Sequence, residues 1–273
     1  MGARLTRIIS DVHYGDRASR VRSLDQLRPL LEGVDSLVLN GDTVDTRRDK
    51  YGRQVDTRRR EVLEFFGKCG VPVTFLTGNH DPDMSELHEL GLEGGNIFVT
   101  HGDILFDSIV PWSRDASMLR SKLIAALAGV PDTGASAIEG RLSAYRSVAG
   151  SIPQRHQSER NPLKYALRFV GDTVWPPGRA LKILRAWREA PGRAAALARK
   201  HRPKAKVVMI GHTHKPGFWR TPGGVVVINT GSFCPPFGAM AADVEPGGVS
   251  LRKVDFRRGQ FHPGRKVAEF QIT

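Results

Sequence analysis

The chain has 273 residues, 40% hydrophobic and 25% charged, with a net charge of +13. That balance excludes a fibrous, disordered or membrane-spanning chain, and its apolar runs, such as VVMI and VVVI, fall far short of the ~20 residues of a membrane span. The excess of base favours an anionic partner: nucleic acid, an acidic membrane surface or a phosphorylated substrate. Two cysteines, Cys69 and Cys234, provide neither a disulfide framework nor a CxxC metal knuckle and read as buried free thiols. The opening MGARLTRIIS is too short and too polar for a secretory signal. The expectation is a cytoplasmic protein, with room for peripheral membrane contact.

In chain order, short runs rich in Val, Ile and Leu recur and stop at polar clusters. Residues 5–9 lead into SDVH, 36–39 into NGDTVD, 73–76 into TGNHD, 97–99 into THGD, 207–210 into GHTH and 225–228 into NTGS. Runs this short, bounded by Gly, Asn or Asp, predict buried strands. Between the early ones, residues 20–31 place Val21, Leu24, Leu27, Leu30 and Leu31 on one helical face, and residues 58–66 offer Val62, Leu63, Phe65 and Phe66. Alternating strand and helix predicts an α/β layered core. The strands at 225–228 and 251–256 have no helix between them and predict an antiparallel part.

Residues 107–206 break that rhythm. They carry little strand signal and predict helices at 118–128, 161–170 and 179–200, with breaks at Pro131, Pro153, Pro176, Pro177 and Pro191. The chain therefore reads as a core, 1–106 and 207–273, carrying a basic helical insertion, 107–206. Fourteen of the 41 basic residues but three of the 28 acids lie between Arg155 and Lys206, so the insertion holds most of the net charge. Leu181, Leu184 and Trp187 share a helical face, with Lys182, Arg185 and Arg188 displaced from it and Phe169 and Trp175 nearby. That pattern suits an anionic membrane surface, or a helix packed on the core with a solvated basic back. Arg114, Arg120 and the bases between Arg155 and Lys164 read equally as a phosphate clamp or as surface charge.

The polar clusters hold His13, His80, His101, His212 and His214, five of the nine histidines, together with Asp11, Asp42, Asp45, Asn79 and Asp81. In an open α/β sheet the carboxyl ends of the strands converge where ligands bind. A His, Asp and Asn set without sulfur suits Mn, Fe, Zn or Co. It exceeds what one tetrahedral ion needs and points to two ions sharing a carboxylate. DxH or GDxxD alone is a weak signal and GNHD a moderate one. GHTH is the strongest, because two histidines directly after a buried strand rarely have a packing role.

Asp11-Val-His13, Gly41-Asp42-Thr-Val-Asp45, Gly78-Asn79-His80-Asp81, His101-Gly102-Asp103 and Gly211-His212-Thr-His214 resemble, in kind and order, the motifs of the calcineurin-like metallophosphoesterases. The resemblance covers roughly residues 5–106 and 206–232. It implies a layered α/β/β/α sandwich with a helical cap insertion. It also implies two divalent ions, manganese first and iron, zinc or cobalt as alternatives. One ion would sit on Asp11, His13 and His214, the other on Asn79, His101 and His212, with Asp42 bridging. The implied activity is hydrolysis of a phosphoester or pyrophosphate bond by a metal-bridging hydroxide. His80 then stabilises charge or protonates the leaving oxygen, while Asp45 and Asp81 orient the ligands and His80 respectively.

Relatives of this fold can lose catalysis and serve as binding modules, with gaps at ligand or His80 positions; this chain has none. It is more loosely similar to the UDP-2,3-diacylglucosamine pyrophosphatases, whose insertion forms a cap over acyl chains. That similarity implies a lipid-linked or nucleotide-sugar phosphate as substrate. Their third motif typically reads GNRD and their second GDxxE, against His80 and Asp45 here. A nuclease or cyclic-nucleotide phosphodiesterase is the alternative. Nucleic acid is less favoured as a partner, since aromatics are sparse at 7% and no DNA-binding motif stands out.

Overall fold

Alternation along the strands builds this structure, a computed structural model that describes residues 4–47, 56–132, 137–152 and 177–272. Strands β1 (Thr6–Ile9), β2 (Ser36–Asn40) and β3 (Val73–Leu76) run parallel. On the other side of β1 lie β9 (Met240–Glu245), β10 (Gly248–Arg257) and β11 (Gln260–Gln271), all antiparallel to their neighbours, in the order β11-β10-β9-β1-β2-β3. In the second sheet β5 (Ile97–Thr100), β6 (Val207–Ile210) and β8 (Val226–Asn229) are parallel. They are flanked by antiparallel β4 (Glu89–Leu92) and β7 (Gly217–Arg220), giving β4-β5-β6-β8-β7.

Successive strand side chains point to opposite faces, and both faces are apolar here. Ile8, Val38, Ile97, Val99, Val207 and Met209 meet between the sheets. Their neighbours Ile9, Leu37 and Leu39 face outward, onto Leu24, Leu27 and Leu30 and onto Val62 and Phe66 of α1 (Asp56–Gly67). Phe98, Val208 and Ile210 face outward on the second sheet, where α2 (Ala116–Leu127), α3 (Ala137–Gly150) and α4 (Pro177–His201) share their core. The layers are therefore α/β/β/α.

Six strands stand where sequence reasoning places them, within a residue or so, and the sequence reading of 251–256 falls inside β10. Four departures have physical reasons. Residues 20–31 form no α-helix: Leu24–Leu30 is a 3-10 helix with Pro29 inside it, opened by a capping box between Ser23 and Gln26. Its expected apolar face is nonetheless buried. Pro191 interrupts nothing; α4 continues through it. β8 and β10 belong to different sheets and do not pair, because β7 and β9 supply their partners. Cys234 is buried as expected, whereas Cys69 is half-buried. The helix expected at 161–170, with Phe169, Trp175 and the bases at 155–164, lies outside the described residues.

One charged pair ties the two halves of the first sheet. Arg7 of β1 stands opposite Asp243 of β9, both buried, with Nε and Nη2 donating to its two carboxylate oxygens at 2.6 and 2.9 Å. Removing one partner of a buried pair strands the other charge. Asp243→Ala is expected to lower the unfolding free energy by about 3–5 kcal/mol; urea unfolding measures it, and a loss under about 1 kcal/mol, the range of a surface pair, contradicts it.

Candidate metal centre

The parallel strands of both sheets point their carboxyl ends at one rim, and all but β8 deliver part of the site. Asp11 and His13 follow β1, Asp42 and Asp45 follow β2, and Asn79, His80 and Asp81 follow β3. His101 follows β5, and His212 and His214 follow β6. Potential ligand atoms of Asp11, His13, Asp42 and His214 lie within 4.8 Å of one another, as do those of Asp42, His101 and His212. Asp42 belongs to both groups. Its Oδ2 lies 3.6 Å from His13 Nε2 and 3.4 Å from His101 Nε2, while Asp11 Oδ1 lies 3.2 Å from His214 Nε2.

The backbone is bent to achieve this. Asp11, His13, Asp42, His212 and His214 all have left-handed φ, between 49° and 63°. Non-glycine residues held there carry strain of about 1–3 kcal/mol each, and such strain persists where the surroundings over-determine it. Hydrogen bonds supply that support: Asp11 and His13 donate backbone N–H to the carbonyls of Gly41 and Asp42, and His212 N–H donates to the Asp11 carboxylate at 3.1 Å. The buried Asp81 carboxylate takes the N–H groups of Gly78, Asp42 and Thr43 at 2.8, 2.9 and 2.7 Å, clasping the second loop to the third.

The donor chemistry fits divalent cations. His101 Nδ1–H donates to the Asn40 carbonyl at 3.0 Å, so the neutral ring carries its lone pair on Nε2, and that atom is buried without a hydrogen-bond partner among the described residues. Asn79 Oδ1 is likewise buried and partnerless. Buried acceptors are rarely left so; a cation satisfies them. His212 Nε2–H donates to the Ile109 carbonyl at 2.9 Å, leaving Nδ1 as its lone-pair nitrogen. Burial pushes His13 down to about 4 and His212 down to about 3, leaving both neutral, as ligation requires. Burial alone raises the Asp42 carboxyl, but His101, His80 and His13 together hold it well below the usual carboxylate range.

The sequence profile of the calcineurin-like phosphoesterases matches residues 6–216. The chain belongs to that family. Solved structures with a similar fold include vacuolar protein sorting 29 of Cryptosporidium parvum, at 14% identity and TM-score 0.44 over 98% of each chain. A dimetal phosphatase of Danio rerio matches at 16% and 0.45, over 99% of this chain and 98% of the other. An uncharacterized protein of Streptococcus pneumoniae, described as a predicted phosphoesterase, matches at 16% and 0.43, over 99% of both. No curated protein matches.

In this member of the family the two carboxylates expected to orient neighbours exchange roles. Asp45, not Asp81, meets His80: its Oδ2 lies 3.2 Å from His80 Nδ1. Asp81 is spent on backbone. Sequence reasoning missed Arg47, which grips Asp45 through Nε and Nη2 at 3.0 and 2.8 Å and brings Nη2 to 2.9 Å from His80 Nδ1. Its one signal was an arginine two residues after the second motif, which a basic chain supplies often by chance. Burial and Arg47 push the His80 pKa down, but Asp42 and Asp45 outweigh them and raise it.

A cleft of about 310 Å³ opens over Asp42, Asn79, His80, His212 and His214, and its walls are Val110, Trp112, Ile183, Trp187 and Phe237. Trp187 Nε1 donates to the Thr213 carbonyl at 2.8 Å, seating the ring beside the GHTH loop.

The shared position of Asp42 makes a measurable claim. Outer-sphere partners alone are worth about 10–100-fold in metal affinity, so Asp42→Ala is expected to weaken Mn²⁺ binding at both groups by at least that much. Isothermal titration calorimetry reads it, with the melting temperature as a check on folding. A folded variant that binds like the wild type removes Asp42 from the centre.

Proposed function

We propose that this chain hydrolyses a phosphoester or pyrophosphate bond, using two divalent cations held by Asp11, His13, Asp42, Asn79, His101, His212 and His214. The observation that carries the reading is one buried carboxylate, Asp42, common to two donor groups at the foot of an open cleft. Bound cations supply Lewis acidity to phosphoryl oxygens and acidify water.

The chain's own groups account for the other requirements. Nδ1–H of the His80 ring donates to Asp45, which Arg47 holds in turn, and this leaves Nε2, 4.0 Å from Asp42 Oδ2, to deal with the cleft. Protonated at Nε2, His80 donates to the leaving oxygen as the bond to phosphorus breaks. Burial of the Asp11, His13, Asp42 and His101 side chains excludes bulk water from the foot of the cleft, where electrostatic interactions then act at low dielectric.

The walls speak to the substrate. Trp112, Ile183, Trp187 and Phe237 present apolar surface above the donor groups. A phosphate bearing a lipid or another apolar group fits such a cleft better than a bare sugar phosphate does, because each buried CH₂ contributes about 0.8 kcal/mol.

With Mn²⁺ the chain is expected to turn over bis-p-nitrophenyl phosphate and to stop on addition of chelator. His80→Ala should lower kcat by about 10²–10⁴-fold. Absence of metal-dependent turnover on mono-, di- and pyrophosphate esters alike counts against the reading. Arg47→Met separates positioning from binding. Its kcat should fall by roughly tenfold, and further for alkyl than for p-nitrophenyl leaving groups, because a poor leaving group needs the His80 proton more. An equal loss on both substrates, or a change in KM alone, denies Arg47 that role.

A further inference from the structure

The amino-terminal half of α4 is built unlike its carboxyl-terminal half. Ala190, Ala194, Ala195 and Ala198 are buried against the second sheet and anchor the helix. Toward the other end, Leu181 and Leu184 are 67% and 55% exposed, one turn apart on the same side. Lys182, Arg185 and Arg188 lie exposed beside them. Arg185 is met by Glu189 at 2.6 Å, whereas Lys182 and Arg188 face no carboxylate among the described residues. The same helix reaches into the catalytic cleft: Ile183 and Trp187 line it. Across the cleft Phe237 is 49% exposed, its ring centroid 5.2 Å from that of Trp187. Lys215 Nζ lies 5.5 Å from the Trp187 ring on the same rim. The cleft mouth is thus edged by protruding apolar side chains with cations between them.

We propose that this rim is the docking surface for an anionic lipid bilayer, with α4 lying in its interface so that the cleft opens onto the headgroups. Alternating apolar and basic side chains along a helix are what the interface takes: the former enter the acyl boundary and the latter meet lipid phosphates. Nucleic acid offers partners for the bases but nothing for Leu181, Leu184 and Phe237, which would remain in water. Docking this way deepens the proposed function. A phosphate borne by a lipid then reaches the Asp42 centre without leaving the membrane, its hydrocarbon lying along the apolar surface that the packed Trp187 and Phe237 rings present.

The test is sedimentation of the full-length protein with vesicles of phosphatidylcholine, with and without phosphatidylglycerol, in chelator so that catalysis plays no part. The protein is expected to pellet with the anionic vesicles, less so as salt is raised, and to stay in solution with the neutral ones. Leu181→Ser with Leu184→Ser, and separately Lys182→Glu with Arg188→Glu, should each weaken binding roughly tenfold or more. Both pairs should keep the wild-type melting temperature and wild-type hydrolysis of soluble bis-p-nitrophenyl phosphate. No pelleting with anionic vesicles overturns the proposal, as does pelleting that folded variants of either pair leave unchanged. A chain that docks but hydrolyses nothing sinks the proposed function and spares this one; a chain that hydrolyses but stays in solution does the reverse.

Discussion

Asp81 takes no place in the cleft, yet the centre depends on its carboxylate. By accepting N–H groups from Gly78, Asp42 and Thr43 it pulls the loop after β3 onto the loop after β2. The two close to a distance that only glycine permits: a Cβ on Gly78 would run into the Asp42 carboxylate and backbone nitrogen. The same crowding holds at Gly211, where a Cβ would meet Asp11 and Ser10. This explains why a glycine directly precedes Asp42, Asn79 and His212 in the chain. Ligand atoms from separate loops can come within a few ångströms only if the backbone between them is bare.

Compression of that kind concentrates charge. Asp11 and Asp42 are buried, as are three of the histidines around them, His13, His101 and His212, although isolated charges avoid such places. The carboxylates survive because imidazoles face them, and two buried acceptors, on Asn79 and His101, find no hydrogen-bond partner among the described residues. Strain on Asp11, His13, Asp42, His212 and His214 and unmet lone pairs on Asn79 and His101 fall within one cluster, where binding of cations would satisfy the lone pairs. Stability and function pull apart here, which is the usual sign of a working site.

How much of this was legible follows from burial. β2, β5, β6 and β8 are buried on both faces and read as apolar runs that end at polar clusters, whereas β1 and β3 end the same way but are interrupted by Arg7 and Thr74. β4 and β7 are edge strands, half in water, and ELGL and GFWR carry no such run. β9 was hidden by Asp243, whose charge interrupts it and is compensated by Arg7 from a strand far away in sequence. β11 was hidden by Pro263 and Gly264, beside irregular pairing with β10. The candidate donor groups were readable because the residue types that can hold a metal are few. The Arg47–Asp45–His80 contact was not, since which carboxylate faces an imidazole is settled by loop shape, which spacing does not encode.

The helical region between the fourth and fifth motifs is joined to the centre by more than proximity. Ile109, at its start, has φ 60°, a left-handed conformation that a β-branched side chain strongly resists. Its carbonyl is thereby aimed at His212 Nε2, 2.9 Å away. That contact makes Nε2 the protonated nitrogen and turns Nδ1 toward the metal group, and such second partners set both the tautomer and the basicity of a ligating imidazole. Trp187, from the far end of the same region, holds the next residue of the loop through the Thr213 carbonyl. The helices that wall the cleft therefore also orient the GHTH ligands from two sides. Displacing α4 or the segment around Ile109 would act on the GHTH loop and on the geometry of His212.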